Sequence, residues 1–225
     1  MFAVTDKGAV KERQRKLKEL GLYTGLIDGI WGPLSQKAWD KAEGDKVATP
    51  TFDTTRIIWA AKVSKEFVLK VKDISKRLEM PPEGPNWLMA CMAFETGETF
   101  SPTIKNGAGA PYYGLIQFGS AAAKDAGTTV EALLKMTAEQ QLDYVYRFFK
   151  PYTGKLKTLS DIYMRILWPV AVGKPEDYVI FDNKVRPTAY VQNKGLDIDR
   201  DGKITKAECA AKVQAAYVRG QKFVL

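Results

Sequence analysis

The sequence predicts a mainly α-helical protein with a small three-helix domain at residues 1–45 and a larger helical domain at residues 56–225. Apolar residues recur at helical spacing in segments such as 137–152, whereas runs with strand-like alternation are rare. Residues 46–55 contain four threonines and a proline and show no apolar period, which is typical of a linker. These features favour two helical domains joined by a short connection.

The composition narrows the classes of protein that fit. Of the 225 residues, 45% are hydrophobic and 27% are charged, so that a sizeable core can form. The formal net charge of +8 favours an anionic partner, such as a nucleic acid, a membrane surface or a cell-wall polymer. The sequence has no histidine, which excludes catalysis by Ser-His-Asp or Cys-His systems and excludes imidazole-rich zinc sites.

Cysteine usage and hydropathy indicate neither a disulfide scaffold nor a membrane span. Cys91 and Cys209 could pair if their Cα atoms came within about 7 Å, but their apolar neighbours favour buried free thiols. The longest apolar run, Trp87–Phe94, has eight residues, whereas roughly 20 are needed to cross a bilayer. Residues 1–7 contain no apolar signal-peptide core, so we expect synthesis in the cytoplasm and no stable membrane insertion. We also expect the protein to be a monomer.

The first domain carries a motif with a turn-rich centre. Helical spacing from Val10 ends at Leu20 and Gly21, and a second helix is predicted from about Ser35 to Glu43. The segment resembles the three-helix peptidoglycan-binding module of many cell-wall hydrolases. The matching features are the DGIWGP sequence at 28–33, Gln14, the Leu20–Gly21 helix end, Ser35 and Ala38. The resemblance implies that a shallow groove for glycan or peptide lies near four residues, namely Leu26, Ile27, Asp28 and Trp31.

A charged residue ends the longest apolar run. Glu95 follows Trp87–Phe94 and precedes the turn formers at 96–102. An apolar setting disfavours a charged carboxylate and raises its pKa, and a helix C-terminus acts in the same direction. Such a carboxyl group can stay protonated and act as a general acid near neutral pH. A solvated glutamate at a helix end is the alternative, and Glu95 taken alone favours it.

The residues after Glu95 resemble the lytic transglycosylase and goose-type lysozyme superfamily. The matching residues are Glu95, Thr96, Phe100, Pro102, Asn106, Gly107, Gly114, Leu115, Ile116, Gln117, Ala123 and Gly127. The resemblance implies a lysozyme-like fold, with Glu95 as the catalytic acid/base that cleaves the β-1,4 bond between N-acetylmuramic acid and N-acetylglucosamine. It also implies a groove lined by Gln117 and the loop before it. The candidate substrate-binding residues are Thr103, Asn106, Tyr112, Tyr113, Gly114 and Gln117.

The sequence departs from this family in two places. Gly114 lies 19 positions after Glu95, so that the intervening loop is longer than usual. The later Ala-Tyr-Asn-Ala-Gly motif is missing, and residues 168–175 stand in its place in the chain order. The tyrosine that steadies the glutamate in the family is therefore unassigned, with Tyr163 and Tyr146 as candidates.

The number of carboxylates near Glu95 decides the expected product. A hydrolase needs a second carboxylate about 5–5.5 Å away for retention or about 6.5–9.5 Å away for inversion. The nearby candidates, Glu98 and Asp125, are both interpreted as solvent-exposed. With a single acid, the resemblance implies attack by the muramic C6 hydroxyl and a 1,6-anhydro end, as in lytic transglycosylases. Hydrolysis of the same bond by an N-acetylmuramidase is the alternative.

A second motif lies near the C-terminus. The sequence DIDRDGKITKAE at 197–208 fits an EF-hand calcium loop position by position, with Gly202 at the turn. The candidate ligands are Asp197, Asp199, Asp201, the backbone carbonyl of Lys203, Thr205 and Glu208. These hard oxygen ligands predict a structural Ca²⁺ site, and an acidic turn before a helix is the alternative. We expect the exit helix at about Lys206 to Gly220, and an incoming segment too irregular for a full first helix.

These features together favour an endolysin of phage or prophage origin. Bacterial peptidoglycan is the expected partner, and release to the periplasm or cell wall would depend on a holin pore. A non-catalytic wall-binding virion protein is the alternative from another class. Nucleic-acid binding rests on charge alone, without a motif, and is not predicted.

Overall fold

The computed structural model describes residues 7–19, 22–43, 56–107 and 109–225. The chain divides into two compact units, Met1–Asp53 and Thr54–Leu225. The described residues are mainly helical, which confirms the predicted fold class. The linker predicted at 46–55 lies outside the described residues.

The first unit contains two described helices. Helix α1 spans Lys7–Glu19 and helix α2 spans Pro33–Glu43, with Pro33 at the first helical position, where its missing N–H costs nothing. A small core forms between the two helices from Leu17, Tyr23 and Ala38. The predicted helix end at Leu20–Gly21 lies outside the described residues, and a third helix is not among those that are described.

The second unit is built from eight described helices. Side-chain caps begin several of them, including Thr137, which forms the predicted capping box with Gln140. The helices are α3 (Lys65–Arg77), α4 (Gly84–Glu95), α5 (Ser120–Asp125), α6 (Val130–Leu133), α7 (Ala138–Phe149), α8 (Leu159–Leu167), α9 (Pro187–Asn193) and α10 (Lys206–Gly220).

Helix α4 is the central element of this unit. It packs against α3, α8 and α10, which is the arrangement expected of a helix that is apolar on all sides. Its buried residues are Gly84, Asn86, Leu88, Met89, Ala90, Cys91, Met92 and Ala93. Cys91 is a free thiol, as is the buried Cys209 of α10. The last residue of this central helix is Glu95.

A two-stranded antiparallel sheet joins the acidic loop at 197–208 to the segment before it. Strand β1 spans Val179–Asp182 and strand β2 spans Lys203–Thr205. Phe181 lies opposite Ile204, and Asp182 lies opposite Lys203. The sheet therefore fixes the second half of the acidic loop, and α10 begins directly after β2.

Candidate active site and acidic loop

The carboxyl group of Glu95 stands at the rim of the apolar core. Its side chain is partly exposed, and among the described residues it forms no hydrogen bond or ion pair. Burial raises the pKa of Glu95 from 4.5 to about 7, because the surroundings solvate the charged form poorly. A group with this pKa is present in both protonation states near neutral pH, as a catalyst that first gives and then takes a proton requires.

The turn after Glu95 is held by Thr96. The Thr96 hydroxyl, which is fully buried, donates to the Met92 carbonyl at 2.7 Å and accepts from the Phe100 amide at 3.0 Å. Gly97 follows with a positive φ of 56°, where an L side chain is strained. Phe100 returns to the core between Trp59 and Phe67. These contacts stop α4 at Glu95 and keep its carboxyl group at the helix end.

Tyr163 of α8 lies beside Glu95, whereas Tyr146 does not. The Tyr163 ring packs edge-on against Phe94, with 5.6 Å between the ring centroids. Burial raises the pKa of the Tyr163 hydroxyl well above its usual value, and the negative charge of Glu95 raises it further. The Tyr146 ring instead lies under the guanidinium group of Arg77, whose Cζ is 3.7 Å from the ring centroid. Of the two candidate tyrosines, Tyr163 is thus the one near the carboxyl group.

Neither of the other two candidate acids pairs with Glu95. Arg219 Nε donates to Glu98 Oε1 at 2.6 Å, and the side chains of both residues are partly exposed. Glu98 is therefore partly exposed, as its interpretation as a solvated residue expects, and it is ion-paired with Arg219. Asp125 is exposed at the end of α5. Among the described residues, no second carboxylate adds to the pKa shift of Glu95.

The predicted groove loop is folded back on itself. The Gly114 amide donates to the Ile104 carbonyl at 3.0 Å, and the Asn106 amide donates to the Tyr112 carbonyl at 2.9 Å. Tyr113 exchanges two backbone hydrogen bonds with Phe118, at 3.1 and 2.7 Å. The candidate substrate-binding residues are thereby gathered on one short loop and the turn that follows it.

These candidates differ in how much side-chain surface they present. Thr103 and Tyr112 are exposed, whereas Asn106, Tyr113 and Gln117 are partly buried. Gln117 directs its Nε2 toward the carbonyl oxygens of Ile104 and Gly114, at 3.4 and 3.3 Å, while its Oε1 is buried without a partner among the described residues. Gly114 itself is buried against Gln141 of α7, a residue that the sequence reasoning did not single out.

The acidic loop brings three of its predicted ligands together. Carboxylate oxygens of Asp197, Asp199 and Glu208 lie within 4.8 Å of one another. Asp201 lies outside this group, and its Oδ1 accepts from the Lys203 amide at 2.7 Å. The Thr205 hydroxyl donates to Glu208 Oε2 at 2.9 Å. A set of hard oxygen donors at this spacing fits Ca²⁺, which prefers carboxylates and carbonyls.

Backbone amides hold the acidic side chains in place. The amides of Arg200 and Gly202 donate to Asp197, at 2.8 and 3.2 Å. The Tyr190 hydroxyl also donates to Asp197 at 2.5 Å, which is the largest cause of the lowered pKa of that carboxylate. The exit helix α10 begins at Lys206 and ends at Gly220, as predicted, and the incoming segment is the seven-residue α9 followed by a single 3₁₀ turn.

A buried ion pair, which the sequence reasoning missed, ties the loop to α8. Lys206 is the tenth residue of the loop motif and is 1% exposed. Its Nζ lies 2.6 Å from Asp161 Oδ1 and 2.8 Å from the Lys174 carbonyl. Glu176 Oε1 is 3.8 Å from the same nitrogen. A lysine and an aspartate on otherwise apolar helix faces were the signal that could have revealed this pair.

In the first unit, Gln14 organises the loop that carries the wall-binding candidates. Its side chain is fully buried and donates to Asp28 Oδ1 at 2.9 Å, while its Oε1 accepts from the Gly29 amide at 2.9 Å. Asp28 also accepts from the Ile30 amide at 2.8 Å, so that Asp28 shapes the loop itself. Asp28 is also partly exposed, and its place beside a wall-binding groove stays a prediction.

The other three wall-binding candidates remain at the surface of the first unit. Leu26 is 38% exposed, and Ile27 is partly exposed. The ring of Trp31 packs edge-on against Trp39, with 5.8 Å between the ring centroids. These side chains offer apolar and aromatic surface of the kind that sugars stack on.

The described part of the chain contains no helix that is long and apolar enough to cross a membrane. No known protein family matches the sequence, and no curated protein matches it either.

Proposed function

We propose that the protein is a peptidoglycan-cleaving endolysin that cuts the β-1,4 bond between N-acetylmuramic acid and N-acetylglucosamine with Glu95 as its single catalytic residue. The observation that carries this proposal is the state of the Glu95 carboxyl group, which is partly exposed, has no partner among the described residues and has a pKa of about 7. The resemblance of the residues around it to lytic transglycosylases supplies the substrate class.

The proposed reaction needs only one carboxyl group. Glu95 gives its proton to the leaving O4 of N-acetylglucosamine while the bond from muramic C1 to that oxygen breaks through an oxocarbenium-like state. The carboxylate then takes the proton of the muramic C6 hydroxyl as that oxygen bonds to C1. Glu95 regains its proton, and a 1,6-anhydro end forms without the uptake of water.

Hydrolysis of the same bond is the second candidate. It would require a group that activates water, and such groups are usually carboxylates about 5–9.5 Å from the acid. Because Glu98 is paired with Arg219 and Asp125 is exposed, the described residues favour the intramolecular attack.

Substitution of Glu95 by glutamine tests the proposal. E95Q removes the transferable proton and keeps the shape, so that release of soluble fragments from purified sacculi should fall by about 10²–10⁴-fold. E98Q is the matched control and should keep its activity. A fully active E95Q variant would remove Glu95 from the mechanism.

The products distinguish the two reactions. Mass spectrometry of the released muropeptides should show anhydromuramyl ends, which are lighter by one water than the reducing ends that hydrolysis gives. We propose that the first unit binds the cell wall, so the binding of E95Q to sacculi should be unchanged. A protein that binds sacculi and never cleaves them, in any variant, would be a wall-binding virion protein instead.

We further propose that the loop at 197–208 binds Ca²⁺ as a structural ion. Asp197, Asp199 and Glu208 would hold it with carboxylate oxygens, and Lys203 would contribute its carbonyl. When bound, Ca²⁺ would supply positive charge that stabilises the acidic loop, and it would take no part in the glycan chemistry.

A further inference from the structure

We propose that Gln141 is a positioning residue that sets the glycan groove, because its one amide group fixes both ends of the loop at 103–114. The inference rests on the proposed function, since this loop carries the candidate substrate-binding side chains. Gln141 lies on α7, is fully buried and is not part of the motif that led to Glu95.

Three hydrogen bonds join the Gln141 amide to backbone groups from separate segments. Its Nε2 donates to the Pro102 carbonyl at 2.6 Å and to the Leu133 carbonyl at 2.9 Å. Its Oε1 accepts from the Leu115 amide at 3.2 Å. Pro102 and Leu115 stand immediately before and after the loop, so that one side chain closes it and anchors it to α7.

The requirement for glutamine follows from the hydrogen-bond inventory. The site demands two donors and one acceptor in a buried space, and a primary amide is the neutral side-chain group that supplies them. Glutamate would offer acceptors to two carbonyl oxygens. Methionine would leave the Pro102 carbonyl and the Leu115 amide without partners, whereas the Leu133 carbonyl would keep its bond from the Met136 amide. Buried backbone groups without partners are unfavourable, so the loop would move to regain water contacts.

Gly114 gives this arrangement its second half. A Cβ atom on residue 114 would lie 2.5 Å from Gln141 Oε1 and 2.8 Å from the Pro102 carbonyl oxygen. The φ angle of Gly114 is +74°, which an L side chain adopts with strain. The first glycine of the Gly-Leu-Ile-Gln sequence is therefore the residue that admits the Gln141 amide.

The clamp acts on the position of the loop and leaves its internal structure alone. The bond from the Gly114 amide to the Ile104 carbonyl and the pairing of Lys105 with Tyr113 do not involve Gln141. Loss of the clamp should therefore release a folded loop from α7. Substrate binding should weaken, while the surroundings of Glu95, and with them the pH dependence of the reaction, should stay the same.

The test compares Q141M with Q140M in the full-length protein. Gln140 is exposed on the same helix, one position away, and loses only its capping bond. We expect Q141M to raise KM for soluble peptidoglycan strands by about tenfold or more, with kcat within about threefold and an unchanged pH profile. Hydrogen exchange in peptides that cover 102–115 should become about tenfold faster, while Q140M should match wild type in both measurements.

Gly114→Ala provides the second variant if Q141M does not fold. It disturbs the same contact from the loop side and should give the same rise in KM and in exchange. Unchanged exchange at 102–115 in a folded variant would overturn the clamp, and faster exchange with an unchanged KM would overturn its role in the groove. If wild type cleaves no glycan, the proposed function fails, and exchange then decides whether Gln141 holds the loop.

Discussion

Glu95 and the acidic loop at 197–208 place the same chemical group in opposite surroundings. The Glu95 carboxyl group has no hydrogen-bond donor among the described residues, and burial raises its pKa to about 7. Asp197, in contrast, accepts two backbone amides and the Tyr190 hydroxyl, and its pKa is lowered. Nearby hydrogen-bond donors therefore decide whether a carboxyl group keeps its proton or is ionised and able to bind a cation.

The largest expected effect comes from the buried ion pair that ties the acidic loop to α8. Asp161 has its charge compensated by Lys206, and the side chains of both residues are buried. K206M should lower the free energy of unfolding by about 3–5 kcal/mol, because the Asp161 carboxylate would be left buried without a counter-charge. Urea unfolding monitored by circular dichroism at pH 7 measures this change.

The exposed Lys203 gives the control for this prediction. K203M should change the free energy of unfolding by less than about 0.5 kcal/mol, as is usual for exposed side chains. The double variant K206M with Asp161→Asn should recover part of the loss, because the uncompensated charge is removed. A loss below about 1 kcal/mol in K206M would show that Asp161 does not depend on its partner.

The sequence predicted the elements of both regions better than the contacts between them. The C-terminus of α4 follows from the turn formers after Glu95, and the N-terminus of α10 follows from the loop motif that includes Lys206. The capping box of Thr137 is likewise a local pattern. Contacts such as Lys206 with Asp161 join residues 45 positions apart, and spacing along the chain contains no information about them.

Polar residues on apolar helix faces are a sequence signal for long-range contacts. Gln141 lies at helical spacing with Val145 and Phe148, which are both buried. A polar side chain in such a stripe must find partners in the core, so its presence alone predicts a long-range hydrogen bond. The identity of those partners, Pro102 and Leu115 among them, depends on the folded backbone and could not be derived from the sequence.

Calcium should stabilise the loop region and leave the surroundings of Glu95 unchanged. If Ca²⁺ binds the native state and not the unfolded state, free calcium at 100 times Kd should add about 2.7 kcal/mol to the free energy of unfolding. Thermal melts with calcium and with EDTA measure the shift in Tm. An unchanged melt after verified removal of calcium would contradict the site.

Two matched variants locate the calcium effect in the loop. Asp199→Asn keeps the acceptor that the Asp201 amide uses but removes a ligand charge, so that the response of Tm to calcium should shrink. Asp182→Asn changes an acid on the neighbouring strand β1, outside the three-carboxylate group, and should keep the full response.

Loss of the proton from Glu95 should lower the free energy of unfolding as the pH rises. The pKa is raised from 4.5 to about 7 on folding, so that the native state binds more protons than the unfolded state between these values, and stability falls across that window. Glutamine carries no such charge. E95Q should therefore match wild type near pH 4.5 and exceed it by about 1–3 kcal/mol above pH 7.

Urea unfolding of E95Q and wild type at a series of pH values measures this difference. E98Q is the control, since the Glu98 carboxylate is partly exposed and paired. A constant difference between E95Q and wild type from pH 4.5 to 8 would mean that the Glu95 carboxyl group is solvated like any surface glutamate, and the contrast with the acidic loop would disappear.

The smallest effect is expected at the ion pair between Glu98 and Arg219. R219M should change the free energy of unfolding by less than about 1 kcal/mol, because both side chains are partly exposed and water replaces the lost contact. Its activity should equal that of wild type if Glu98 takes no part in the reaction. If Arg219 instead holds Glu98 in place as a second catalytic acid, R219M should lower the rate of release from sacculi while binding stays intact. Glu95 would then share its task with a carboxylate three residues away, and the single-acid route to an anhydro product would lose its basis.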